Sequence, residues 1–241
     1  MIPDYVLKVK EEYIRKGFWK NTTVYDLWEK NALDFPHEEA VVDYKNRLTW
    51  AQAKLWIDRL ALGLLELGFR KNEVLVIQLP NSVELTLLRV ACEKAGILSL
   101  PVLRTMRHKE LEYILHFTKA AGIVIPWQYR GFDYFEMVQE IRHSSPALRA
   151  ILVSSDKVPD GTISINDIIR QPKGIGYPTG YLQGKGYQTY EPSLLFLTSG
   201  STGLPKFVQF AAVSRLFHGS ELADFLKLCH KDILAALAPT A

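Results

Sequence analysis

One stretch of this 241-residue sequence concentrates the groups that can do chemistry. Leu194–Phe210 reads as an apolar run, then Thr198-Ser199-Gly200-Ser201-Thr202-Gly203-Leu204-Pro205-Lys206, then Phe207-Val208-Gln209-Phe210. The central nine residues hold four hydroxyls, two glycines and one lysine. Glycines allow successive backbone N–H groups to converge on an anion, and hydroxyls add donors with little bulk. Lys206 supplies a mobile positive charge suited to a terminal phosphate, and Pro205 stiffens the base from which it projects. The same residue types are usual in polar turns between strands, so composition alone leaves a turn and a phosphate cradle on a hairpin both open. A Walker-type loop is disfavoured. It needs Gly-Lys-Ser/Thr entering a helix, whereas Lys206 lies three residues past Gly203 and leads into an extended run.

The elements that must position this segment follow from pattern. Ala40–Tyr44 and Leu48–Trp50 are short extended pieces around Lys45–Asn46. Between Ala51 and Leu67, the positions Ala53, Trp56, Ile57, Leu60 and Leu64 form an amphipathic helical stripe, with Gly68 at its C-terminal end. Val74–Leu79 is apolar enough for a strand covered on both faces. Asn81 with Glu84 has the spacing of a capping box, opening a helix to about Ala95 that stops at Gly96. Strand Ile97–Leu103, a helix near Lys109–Thr118, strand Ile123–Pro126, a helix through Phe132–His143 and strand Ala150–Val153 continue the alternation. This rhythm predicts an α/β fold with a mostly parallel sheet flanked by helices. Residues 154–190 are rich in Gly and Pro and read as a long surface connection, with room for a turn or two of helix at Asn166–Arg170.

Composition narrows the classes. With 29 basic and 26 acidic residues, scattered and without interleaved aromatics, the chain shows no nucleic-acid footprint. No apolar run is long enough to span a membrane, and the charged first twenty residues contain no secretory apolar core. Cys92 and Cys229 are two lone thiols read as small buried hydrophobes, which suits a cytoplasmic location. Six histidines fall in no metal-ligand spacing, Glu38–Glu39 and Lys10-Glu11-Glu12 read as solvated faces, and the five tryptophans read as packing groups.

Thr198–Lys206 resembles the phosphate loop of the adenylate-forming superfamily, which includes acyl-CoA synthetases, aryl-acid AMP ligases and luciferases. The pattern hydroxyl-Ser-Gly-Ser/Thr-Thr-Gly-x-Pro-Lys is matched at every specified position. Tyr13-Ile14-Arg15-Lys16-Gly17-Phe18-Trp19 is similar to the opening of aryl- and cyclic-acid ligases, and Leu48-Thr49-Trp50, Leu79-Pro80-Asn81-Ser82-Val83-Glu84 and Lys94-Ala95-Gly96 with Pro101 follow in the family's order.

The resemblance implies that Thr198, Ser199, Gly200, Ser201, Thr202 and Gly203 wrap the β- and γ-phosphates of ATP while Lys206 neutralises their charge. It further implies acyl-adenylate formation from a carboxylic acid, magnesium as counter-ion, and coenzyme A or a carrier-protein thiol as acceptor. Ala211-Ala212 stand where the family commonly has Thr-His or Ser-His. Family members continue well past Ala241, so the magnesium ligand and the adenine and ribose sites are expected outside this chain. On that basis residues 1–69 are expected to be a piece of a neighbouring lobe, 70–222 the lobe carrying the loop, and 223–241 the start of a further region with a strand near Ile233–Ala238. The chain by itself is expected to be inactive and to self-associate through apolar positions left uncovered, Trp19, Val24, Leu27 and Trp28 among them. A non-catalytic nucleotide-binding or regulatory homologue is the alternative.

Overall fold

Val74–Ile77 (β3) alternates its side chains between two apolar environments, which is why its four residues are all buried and all aliphatic. Val74 and Val76 face one layer of helices, and Leu75 and Ile77 face the other. The computed structural model of the chain describes residues 4–171, 177–178, 180–198, 204–236 and 238. Before β3 come α1 (Asp4–Arg15), α2 (Val24–Asp34), the hairpin β1 (Glu39–Val42) and β2 (Arg47–Thr49), and α3 (Trp50–Glu66). After it, α4 (Val83–Ala95), β4 (Leu98–Pro101), α5 (His108–Thr118) and β5 (Gly122–Ile125) alternate. A small hairpin, β6 (Gln128–Tyr129) and β7 (Phe132–Asp133), then precedes α6 (Tyr134–Ile141) and β8 (Ala150–Val153). The chain ends with β9 (Ile163–Ser164), α7 (Ile165–Arg170), β10 (Pro192–Leu197), β11 (Phe207–Ala211) and α8 (Ala212–Leu226).

Seven strands form one sheet in the order β11-β10-β4-β3-β5-β8-β9. Every neighbouring pair is parallel except β10 with β11, so the predicted α/β class and mostly parallel sheet are found. One face is covered by α2, α3, α4 and α7 through Tyr25, Ile57, Leu88 and Ile168, and the other by α5 and α6 through Leu111, Leu115, Met137 and Val138. Burial on both faces removes the polar alternation of a solvated strand.

Helix boundaries follow local chemistry. Thr49 caps α3, accepting from the Gln52 N–H, and the Gln52 side chain returns the bond in a capping box. At α4 the expected cap moves by one residue: Ser82, not Asn81, accepts from the Leu85 N–H at 3.2 Å. Asn81 instead donates its Nδ2 to the carbonyls of Ala236 and Ala238 at 3.2 and 2.7 Å. Gly96 ends α4 in the left-handed region at φ +75°, and a Cβ there would meet the Lys185 carbonyl at 2.6 Å. Only glycine fits both the backbone and the approach of the chain returning toward β10.

Three expectations are corrected. The early apolar residues are largely covered from within the chain: Trp28 packs edge-on against Trp50 at 5.1 Å, Val24 lies on the α3–α4 core, and Trp19 contacts Tyr13 and Tyr190, leaving Leu27 exposed. Cys92 is buried as expected, but Cys229 lies beyond the end of α8 and is exposed. Asp232–Ala236 form no strand; Ile233 and Leu234 are exposed, and among the described residues no neighbouring strand offers them a ladder.

Candidate functional site

Thr198, the first residue of the candidate loop, sits where the topology places ligands in such sheets. The chain leaves β3 for β4 on one side and then crosses to β5 on the other, and β10 runs parallel beside β4. Thr198 therefore emerges at the carboxyl edge, the side on which open α/β sheets bind ligands near a reversal of strand order.

Thr198 and Lys206 are brought together. The Thr198 N–H donates to the Lys206 carbonyl at 3.0 Å, and the Lys206 N–H donates to Thr198 Oγ1 at 3.0 Å. These reciprocal bonds extend the β10–β11 ladder one step beyond the pair Leu197↔Phe207 and close the mouth of the loop. A hydroxyl at Thr198 does what an alanine could not, since it satisfies the Lys206 N–H where the ladder ends. Both side chains are exposed, so Lys206 carries its ammonium on the solvent side of a pinned backbone. Ser199, Gly200, Ser201, Thr202 and Gly203, the rest of the predicted cradle, lie outside the described residues.

The outgoing limb is buttressed from α5. Tyr113 donates its hydroxyl to the Pro205 carbonyl at 3.2 Å, and Phe117 stacks on Phe207 with centroids 4.8 Å apart and planes within 6°. Sequence reasoning missed Tyr113 and Phe117, which lie about ninety positions upstream; an aromatic pair at i,i+4 on a helix was the one available hint.

Beyond β11 the substitution at Ala211-Ala212 has a visible consequence. Ala211 is the N-cap of α8, in extended conformation, and offers no side-chain acceptor to the first turn. The Val213 N–H is met instead by the Thr189 carbonyl at 3.1 Å.

No group of three His, Cys, Asp or Glu able to hold a metal occurs among the described residues, and none of the described helices is long and apolar enough to cross a membrane. His108 pairs with Glu140 at 2.6 Å, and His116 meets the Ser144 carbonyl at 2.9 Å.

Comparison with known proteins fits this geometry. The family described as AMP-binding enzyme matches residues 28–240. The mitochondrial medium-chain acyl-CoA ligase ACSF2 of Mus musculus is 31% identical over 206 residues, covering 77% of this chain and 33% of that protein. The 2,3-dihydroxybenzoate-AMP ligase of Bacillus subtilis is 25% identical over 234 residues, covering 97% of this chain and 41% of the relative. Among solved structures, apo MbtA of Mycobacterium smegmatis superposes with a TM-score of 0.80 at 24% identity, over 92% of this chain and 40% of that one. The chain thus spans between a third and about two fifths of the length of these relatives. A match over nearly the whole chain, on the fold and loop described above, means that it belongs to the AMP-binding enzyme family.

Proposed function

We propose that residues 198–206 hold the β- and γ-phosphates of ATP in an enzyme that activates a carboxylic acid. In this reading a carboxylate oxygen attacks the α-phosphorus, the bond to the bridging oxygen breaks, and pyrophosphate leaves as the acyl-adenylate forms. A thiol of coenzyme A or a carrier protein then attacks the acyl carbon and AMP departs. Thr198 holds the loop's mouth closed, and Lys206 with the loop donors offsets the charge developing on the departing pyrophosphate. The observation that carries the reading is the reciprocal Thr198–Lys206 pairing at the carboxyl edge of the sheet. The opening motif Tyr13–Trp19, and relatives whose names include an aryl-acid AMP ligase, favour an aryl or cyclic acid. Among the described residues no cluster of His, Cys, Asp or Glu could hold magnesium.

As part of the same reading, residues 70–222 form the lobe that carries the loop, 1–69 are a piece of a neighbouring lobe, and 223–241 begin a further region. The 241-residue chain alone is then inactive in pyrophosphate exchange. It self-associates through the exposed Leu222, Phe225, Leu226, Ile233 and Leu234, which light scattering after size exclusion would register as a dimer. The unpaired thiols suit a reducing compartment such as the cytoplasm. A second reading, a nucleotide-binding homologue without catalysis, draws on the bare cap at Ala211.

Titration of the labelled chain with pyrophosphate, followed by NMR, tests the proposal. A few charge-assisted hydrogen bonds at an exposed loop, set against the cost of association, give a dissociation constant of roughly 1 mM. Shifts concentrated on Thr198 to Lys206 and suppressed by salt are the expected result; shifts elsewhere alone would remove the assignment.

A further inference from the structure

The β10–β11 hairpin is joined to the sheet by little ladder. β4 matches β3 at four registered pairs, from Val74↔Leu98 to Ile77↔Pro101, whereas among the described residues β4 and β10, though adjacent, share one registered pair, Leu194↔Ser99, beside a bond from Ser99 Oγ to the Ser193 carbonyl at 3.4 Å. Side chains must therefore help to set the hairpin's direction. At its base lies Glu93 of α4, only 2% exposed. Glu93 Oε1 accepts from the Tyr25 N–H of α2 at 3.0 Å, and Oε2 accepts from Ser193 Oγ of β10 at 3.0 Å and from Arg215 of α8. Arg215 Nη2 also donates to Ser193 Oγ at 2.7 Å, closing a triangle.

Two features show that this is more than incidental packing. Arg215 stands in the first turn of α8, where the helix dipole disfavours a cation, and its Nε is buried without a partner among the described residues. One turn before Glu93 on α4, Arg89 lies 5.7 Å over the Phe196 ring, its pKa lowered by burial and then by the charge of Arg215. A second cation on this side raises the cost of Arg215. A buried ion pair offers no general stability advantage over apolar residues of the same volume, but its hydrogen bonds are directional. Here they fix four elements at defined angles.

We infer that Glu93 and Arg215 are a positioning pair that sets the angle at which the β10–β11 hairpin leaves the sheet, and thereby the placement of Thr198 and Lys206. From Ser193 to Thr198 is a span of about 17 Å, so a tilt of about 10° at the base moves the tip by about 3 Å. That displacement exceeds the tolerance of a hydrogen-bonded phosphate. The consequence for ligand binding rests on reading residues 198–206 as a phosphate loop; the consequence for hairpin geometry does not.

The test compares Glu93→Gln and Arg215→Met with the apolar double variant Glu93→Leu/Arg215→Met in the full chain. Melting temperature, hydrogen exchange at the Thr198 and Lys206 amides, and pyrophosphate titration are measured on each. The single variants lose several degrees of melting temperature, and the double variant recovers most of that loss. The double variant still exchanges the two amides at least tenfold faster than the parent and binds pyrophosphate at least tenfold more weakly. A double variant that recovers stability, exchange and binding together would show that the pair only fills space, and would overturn the inference. If the double variant does not fold, Ser193→Ala removes the link to β10 while keeping the ion pair. Exchange about threefold faster is then expected, and unchanged exchange refutes the inference. A parent chain blind to pyrophosphate would end the phosphate reading, and the exchange rates alone would then decide the positioning role.

Discussion

The central strands β3, β5 and β8 and the β10–β11 hairpin lie in one sheet but are held there by different means. Each central strand is four residues long, buried throughout, and paired in parallel on both sides. Generic apolar burial and continuous ladders suffice, and many aliphatic sequences would serve. The hairpin has one parallel neighbour and an antiparallel partner at the sheet's edge, with the exposed Val208 and Gln209 on its outgoing strand. It depends on particular groups: Tyr113 and Phe117 near its tip, Glu93 and Arg215 at its base. The part built by bulk burial is held by generic packing, and the part built from individual contacts carries the residues proposed to bind phosphate. Substitutions should therefore separate the two.

The largest effect belongs to the centre. Ile77→Ala, at a fully buried position in β3, is expected to cost about 2–5 kcal/mol in denaturant unfolding. The comparison sharpens if the folded fraction keeps the parent's pyrophosphate shifts at residues 198 and 206. It breaks if those shifts vanish with the core intact.

Gly96→Ala tests the joint between the regions. It forces a side chain into the left-handed region and against the Lys185 carbonyl, for a cost of about 1–3 kcal/mol, measured by thermal unfolding. A neutral result would mean that the returning connection is free to move away and does not constrain the approach to β10.

A smaller gain is expected from Ala211→Thr. Supplying the missing acceptor at the N-cap of α8 should stabilise the chain by about 1 kcal/mol, read from the denaturation midpoint. No gain would mean that the Val213 N–H already has all it needs from the Thr189 carbonyl.

Much of the centre is legible in the sequence because its rules are local. Val74–Ile77, Gly122–Ile125 and Ala150–Val153 are short aliphatic runs, and α3 and α4 show their apolar stripes and terminal glycines. The cap of α4 is misplaced by one residue because Asn81 and Ser82 are both good caps, and only the fold gives Asn81 other work. The β6–β7 hairpin escapes notice because each strand has two residues; its signal is Arg130-Gly131, both at positive φ, between aromatic residues. Composition exposes Thr198 and Lys206 as candidates. It cannot expose their supports, since Glu93 and Arg215 are 122 positions apart and meet only when α4, β10 and α8 converge.

The most direct test of the separation is Lys206→Ala, read for stability and binding on the same sample. Lys206 is exposed, and its backbone bonds to Thr198 do not need its side chain. The unfolding free energy should stay within about 0.5 kcal/mol of the parent, while affinity for pyrophosphate falls by roughly tenfold or more. Affinity that survives the substitution intact, with the fold unchanged, would contradict the assignment of this hairpin as the site of phosphate binding.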